Sequence, residues 1–268
     1  MNEPFSCLSA VVQQGSSEPF NPFTLAGKRV LVTGASSGFG LAIALGCARM
    51  GALVIATGRD AGRLGQTLEQ LQAISSLPHV AVVADLTEPD DRTRLVESLG
   101  GEIDGLVHNA GASLSCPTRQ FSEEHLRRLH RINVEAPMLL TQKILRNHLM
   151  AAGGSILFIA SIAAHIGVAG VGAYSGTKAA LIAMARCLAM EVCKRGIRVN
   201  CLAPGLANTP LLALARQSTA SFDEQLNHYP LGIGEPEDIA NATIFMLSGA
   251  SRWFTGSTLV MDGGVTIG

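Results

Sequence analysis

Charge is scarce in this 268-residue chain: Asp, Glu, Lys and Arg together make up 15%, and the net charge is −1. No basic block occurs, so nucleic acid is not an expected partner. Cysteine appears six times, at Cys7, Cys47, Cys116, Cys187, Cys193 and Cys201, but never as CxxC and never beside paired histidines. Neither a metal site nor a disulfide framework is expected. Buried free thiols in a reducing compartment are, and the protein is read as cytoplasmic. The 29 glycines follow no period, which excludes collagen-like sequence and points to tight turns. Met1 to Ala26 lacks a basic start and an apolar segment, so it is read as a flexible N-terminal extension and not as a signal peptide. No Asp, Glu, Lys or Arg lies between Arg146 and Lys178, yet six glycines with Asn147, His148, His165 and Tyr174 break that stretch. It reads as a buried strand followed by a loop, and no membrane association is expected.

The chain is instead rich in apolar residues, at 47%. That supports an extensive core, and the length suits one α/β domain, placed at residues 27–268. Short β-type runs at 29–33, 53–57, 80–84, 105–109, 155–160, 197–202 and 257–262 alternate with helical patterns near 39–50, 60–74, 88–99, 122–150, 172–195 and 236–247. The strands are continuous apolar runs, as in sheets covered on both faces. This rhythm predicts a Rossmann-type, doubly wound parallel sheet of about seven strands. Ligands of such sheets bind at the carboxyl ends of the strands, where the strand order reverses. The span from Ala203 to Glu235 breaks the rhythm and carries Pro204, Pro210 and Pro230, so a substrate loop is expected at about 206–230.

Two segments carry chemistry. The first strand runs into TGASSGFG, where Gly34, Gly38 and Gly40 with Ser36, Ser37 and Phe39 precede a helix. Such a turn brings backbone N–H groups to a pyrophosphate at the helix N-terminus. In YSGTK, Tyr174 and Lys178 lie one helical turn apart on one face, and Ser161 precedes them by thirteen positions. An ammonium beside a phenol favours the phenolate. Pro137 stands four residues after Asn133 and has no N–H to return to the Asn133 carbonyl, which leaves that acceptor free.

These motifs, with Asn109, Ala110 and Gly111 as NAG and Pro204–Gly205 after the sixth strand, resemble the short-chain dehydrogenase/reductase family. The similarity is to its single-domain branch, and most generally to 3-oxoacyl-acyl-carrier-protein reductases. The resemblance implies catalysis by Asn133, Ser161, Tyr174 and Lys178, with Lys178 also on the nicotinamide ribose and the Asn133 carbonyl holding a water. It implies that Asp85 and Leu86, after the third strand, meet the adenine, that Asn109 to Gly111 support the adenosine ribose, and that Thr209 contacts the carboxamide. His108, where the family often has Asn, is read as structural. His165 is read as a solvated loop residue.

The second strand ends in LVIATGRD. A carboxylate there would select NAD(H). Gly58 and Arg59 occupy that place, and a guanidinium pairs with a 2′-phosphate, so NADP(H) is favoured. The alternative is NAD(H), with Asp60 as the acid. The expected activity is reduction of a ketone to a secondary alcohol on an apolar or 3-oxoacyl-thioester-like small molecule. An alcohol or sugar dehydrogenase working oxidatively is the alternative, and a non-catalytic nucleotide-binding regulator is a third reading. By resemblance the chain is expected to form a homotetramer or homodimer through the helices at 122–150 and 172–195 and the C-terminal strand.

Overall fold

The computed structural model describes residues 20–210, 212 and 227–267. The main elements, in chain order, are β1 (Arg29–Thr33), α1 (Gly38–Arg49), β2 (Leu53–Gly58), α2 (Ala61–Ile74), β3 (Val80–Val83), α3 (Pro89–Glu97) and β4 (Ile103–His108). They continue with α4 (Glu123–His130), a π-helical turn (Arg131–Glu135), α5 (Ala136–Arg146), β5 (Met150–Ile159), α6 (Gly172–Val192), β6 (Arg198–Pro204), α7 (Pro236–Leu247) and β7 (Thr258–Met261).

The seven strands form one parallel sheet in the order β3-β2-β1-β4-β5-β6-β7. The chain leaves β1 toward one edge and returns beside it as β4, so the order reverses between those two strands. Side chains alternate across the sheet as pleating requires. From β1, Leu31 enters the core shared with α3, α5 and α6, while Val30 and Val32 enter the one shared with α1 and α7. The predicted seven-stranded, doubly wound fold is present.

Three boundaries differ from expectation. The predicted helix at 122–150 is interrupted by the π turn, where Pro137 deprives Asn133 of its i+4 donor, and it stops at Arg146. β5 begins at Met150, and its pairing with β4 shifts register between Ile103 and Gly105, so MAAGG is absorbed as an irregularity that no apolar pattern announces. The N-terminal extension of 1–26 ends early. Leu25 is fully buried and its N–H donates to the Met50 carbonyl, while the Pro22 carbonyl accepts from Ala250 N–H. The earlier part of that extension, Met1–Pro19, lies outside the described residues, as does most of the expected substrate loop.

Phe158 of β5 is fully buried in the larger core. Phe158→Ala is expected to destabilise the fold by about 3–5 kcal/mol in urea unfolding, the usual range for an emptied aromatic site.

Candidate active site

The glycine turn is shaped by how closely backbones approach. Gly34 adopts φ +65°. A Cβ on Gly40 would lie 2.1 Å from the Gly34 carbonyl oxygen and 2.5 Å from Asn109 Nδ2, so no side chain fits there. Asn109 Nδ2 donates to the carbonyls of Thr33 (3.0 Å) and Gly34 (3.2 Å). Thr33 Oγ1 donates to Val107 O and accepts the N–H groups of Asn109 and Ala110, both at 3.0 Å. The ends of β1 and β4 are thereby locked together at the switch point. Ser37, the N-cap of α1, makes no capping bond, and the first turn carries no acid. Helix α2, by contrast, is capped by Asp60 and α4 by Ser122. The first N–H groups of α1 thus stand ready for an anion, and a pyrophosphate fits. Phe39 packs as a partly buried side chain on the core beneath α1.

At the end of β2, a Cβ on Gly58 would meet Ser36 Oγ at 3.3 Å, so Ser36 faces the space left by the missing side chain. The Arg59 guanidinium is largely exposed and lies 3.7 Å from an Asp85 oxygen. Asp60 is already committed: its oxygens accept Arg63 N–H (2.9 Å) and Arg63 Nε (2.8 Å). Asp85 is not the N-cap of α3, a place taken by Glu88. Its carboxylate instead accepts the N–H and hydroxyl of Thr87. Burial opposes its charge, but those bonds, with Arg59 and Arg131 nearby, hold the carboxyl below its ordinary range. The Leu86 carbonyl accepts from Arg92, a buried cation that no motif marks.

On the other side of the switch point, Asn133 is 1% exposed and its side chain is fully engaged. Oδ1 accepts Ala112 N–H, and Nδ2 donates to Ala112 O (2.8 Å) and to Thr177 Oγ1 (3.0 Å). A Cβ on Gly111 would lie 3.2 Å from Asn133 Oδ1 and 3.5 Å from Lys178 Nζ, so this turn, Asn133 and Lys178 meet. Lys178 donates to the Ile159 carbonyl (2.7 Å), and its Nζ lies 5.7 Å from the Tyr174 ring centre. Burial pushes its pKa down to about 8. Ser161 Oγ accepts Ala163 N–H (3.1 Å), which caps the short turn Ile162–Ala164. Ser161 lies near enough to Tyr174 to lower its pKa. The expected phenolate shift does not dominate here. Burial raises the Tyr174 pKa, and the nearby Ser161 hydroxyl only opposes that rise. The outcome is a protonated phenol beside an ammonium, an arrangement suited to giving a proton to an oxygen.

The segment after β6 closes the site. Gly205 N–H donates to the Met261 carbonyl, just past Pro204. Thr209 lies over the glycine turn, its Cγ2 3.7 Å from where a Gly38 Cβ would be. Tyr229, buried, accepts Leu206 N–H on its hydroxyl (3.1 Å) and pins this segment. Sequence reasoning missed Tyr229, because it belongs to no motif. It also missed Thr177, which accepts from Asn133 and donates to the Tyr174 carbonyl (2.7 Å). Its place inside YSGTK was the available signal. His165 is exposed.

A family profile described as enoyl-(acyl carrier protein) reductase matches residues 34–266. The 3-oxoacyl-[acyl-carrier-protein] reductase of Chlamydia pneumoniae is 36% identical over 247 residues, 91% of this chain and 98% of that one. Human dehydrogenase/reductase SDR family member 4 is 35% identical over 260 residues, 94% of this chain and 92% of the relative. The crystal structure of a gluconate 5-dehydrogenase from Burkholderia cenocepacia, in complex with NADP and tartrate, superposes with a TM-score of 0.85 at 30% identity, covering 92% of this chain and 98% of that one. A strand-end glycine turn and a Ser–Tyr–Lys cluster on one nucleotide-binding sheet agree with those matches: the chain belongs to the short-chain dehydrogenase/reductase family and is an oxidoreductase of alcohol and carbonyl groups.

Proposed function

We propose that this protein is an NADP(H)-dependent reductase that converts a ketone into a secondary alcohol, with Tyr174 as proton donor. The observation that carries the reading is Tyr174 set between Ser161 and a buried Lys178, whose Nζ lies 5.7 Å from the phenol ring centre. When bound, the nicotinamide cofactor supplies the hydride. The residues of this chain then have separable tasks. Ser161 has one lone pair occupied by Ala163 N–H, so its own proton is free to hold the substrate oxygen. Tyr174, kept protonated by burial, gives its proton to that oxygen as charge develops on it. Lys178 holds the ribose and supplies positive charge beneath the phenol. The Asn133 carbonyl, denied a donor by Pro137, binds the water that returns a proton toward Lys178.

The turn from Gly34 to Gly40, with Ser36 and Ser37, would hold the pyrophosphate, and Asp85, Leu86 and Asn109–Gly111 the adenosine. Pro204, Gly205 and Thr209 would hold the carboxamide end. NADP(H) is favoured over NAD(H) because Asp60 is bound to Arg63 while Arg59 is exposed and Gly58 leaves room. The NADP held by the Burkholderia relative supports the same choice. A protonated phenol is the form that reduction requires of Tyr174. The Chlamydia relative's name supports a 3-oxoacyl-thioester-like substrate. The homotetrameric or homodimeric assembly has its support in the exposed Leu139 on α5, Met190 on α6 and Val260 on β7. Cytoplasmic location has its support in free thiols at every described cysteine.

Tyr174→Phe is expected to lower turnover by roughly 10²–10⁴-fold with NADPH binding unchanged. Wild-type turnover in that variant would overturn the reading. A screen of β-ketoacyl thioesters, simple ketones, steroids and keto-sugars by NADPH oxidation reads the substrate class. Gly58→Asp with Arg59→Ala should shift preference toward NADH; an undiminished NADPH preference contradicts the assignment. The Lys178 pKa carries a sign that unfolding can test. Between pH 8 and its ordinary 10.5 the unfolded chain holds a proton that the folded one has lost, so stability rises with pH across that window. Relative to Lys178→Met, the wild type should gain about 2 kcal/mol between pH 7 and pH 9.5 in paired urea titrations. A constant difference would contradict it.

A further inference from the structure

His108 ends β4 and is 3% exposed. Its ring stacks on Phe158 at 4.8 Å, and Nε2 lies 2.7 Å from Thr141 Oγ1 on α5. The Thr141 hydroxyl has one proton, which it gives to the Pro137 carbonyl (2.8 Å). In that arrangement His108 donates through Nε2–H, and its Nδ1 is left as a bare acceptor. That nitrogen is buried and has no partner among the described residues. A bare buried acceptor is unfavourable, and an apolar ring would fill the same space without it. The donor on Nε2 is what a histidine adds here.

The second tie lies four residues on, where both backbone groups of Ala112 bond the Asn133 side chain. Four residues of extended chain span about 13 Å. Asn133 and Thr141 are eight residues apart, and eight helical residues span about 12 Å. The two lengths match, so the chain leaving β4 runs antiparallel to the helical stretch 133–141 and is stitched to it at both ends. Between the stitches sit Asn109–Gly111 on one side and Pro137 on the other. A threonine that bonds back to its own i−4 carbonyl bends a helix, and His108 keeps the Thr141 hydroxyl turned that way.

We infer that His108 is a positioning residue: by donating to Thr141 it holds the helix around Pro137 in place and so keeps Asn133 seated against Ala112, beside Lys178. The inference rests on the role proposed above for Asn133 and Lys178. It is tested with His108→Phe, which keeps the stack and loses the donor, Thr141→Val, which keeps the shape and loses the hydroxyl, and His108→Gln, which restores an uncharged N–H donor.

Expected are a fall in kcat of about fivefold in the first two variants, an unchanged cofactor KM, and no further loss when they are combined. The solvent deuterium isotope effect on kcat should rise in both, and His108→Gln should recover most of the rate. Lower melting temperatures with wild-type kcat and isotope effect would overturn the inference by making His108 purely structural. If His108→Phe does not fold, Thr141→Val decides the matter on the same readouts. Amide hydrogen exchange across residues 131–141 keeps the inference separate from the functional reading. If the wild type has no turnover at all, faster exchange confined to that stretch in the variants still supports the positioning role, and exchange spread evenly over the sheet defeats it.

Discussion

The site depends on one junction, where the end of β4 is pressed against the turn that leaves β1. Thr33 and Asn109 make that junction, and they do it with backbone partners. The Thr33 hydroxyl accepts two N–H groups and donates to a carbonyl, while the Asn109 amide ties two further carbonyls of the turn. Strand order reverses at this point, so no ladder joins the two chain ends beyond the last paired residues, and side chains must replace it. The missing Cβ of Gly40 is part of the same junction, because the space it would need holds the Gly34 carbonyl and the Asn109 amide. Everything that meets a dinucleotide on the β1 side, and everything that reaches Asn133 on the β4 side, is referenced to it.

Around that junction the electrostatics run against the folded state. Lys178 is a buried cation whose only described hydrogen bond goes to a neutral carbonyl, and burial brings its pKa down to about 8. Such a group is tolerated where its charge is used. Tyr174 is shifted the other way, so the phenol holds its proton more tightly while the ammonium beside it holds its own less tightly. An acid and a cation poised like this differ from the salt bridges of the surface, such as Arg127 with Glu123, which are exposed and weakly stabilising.

Much of this was legible in the sequence, for reasons that differ by residue. The glycine turn, NAG and YSGTK are local constraints, so their spacing carried through to the structure. Asp60 admits two readings from sequence, and in the structure it caps α2 by accepting Arg63 N–H. What the sequence could not express were encounters between distant segments. Tyr229 meets Leu206 across 23 positions, and His108 meets Thr141 across 33. Neither belongs to a periodic pattern. The direction of the Tyr174 shift runs opposite to expectation for a related reason: one helical turn predicts that a lysine is near, but desolvation is a property of the whole surroundings.

The polar residues inside the apolar helices follow one logic. Asn133, Thr141 and Thr177 lie on or after the π turn and along α6, at positions where an aliphatic side chain would add core. Each is instead fully hydrogen-bonded to a chain segment from another element or to its own helix. Satisfied buried polar groups add little net stability, but they specify geometry, since any other packing leaves them without partners. The π turn that carries Asn133 is thus held in a form that hydrophobic packing alone does not select. Pro137 makes the π turn available by withholding one N–H, and the polar contacts on either side of it hold that turn in place.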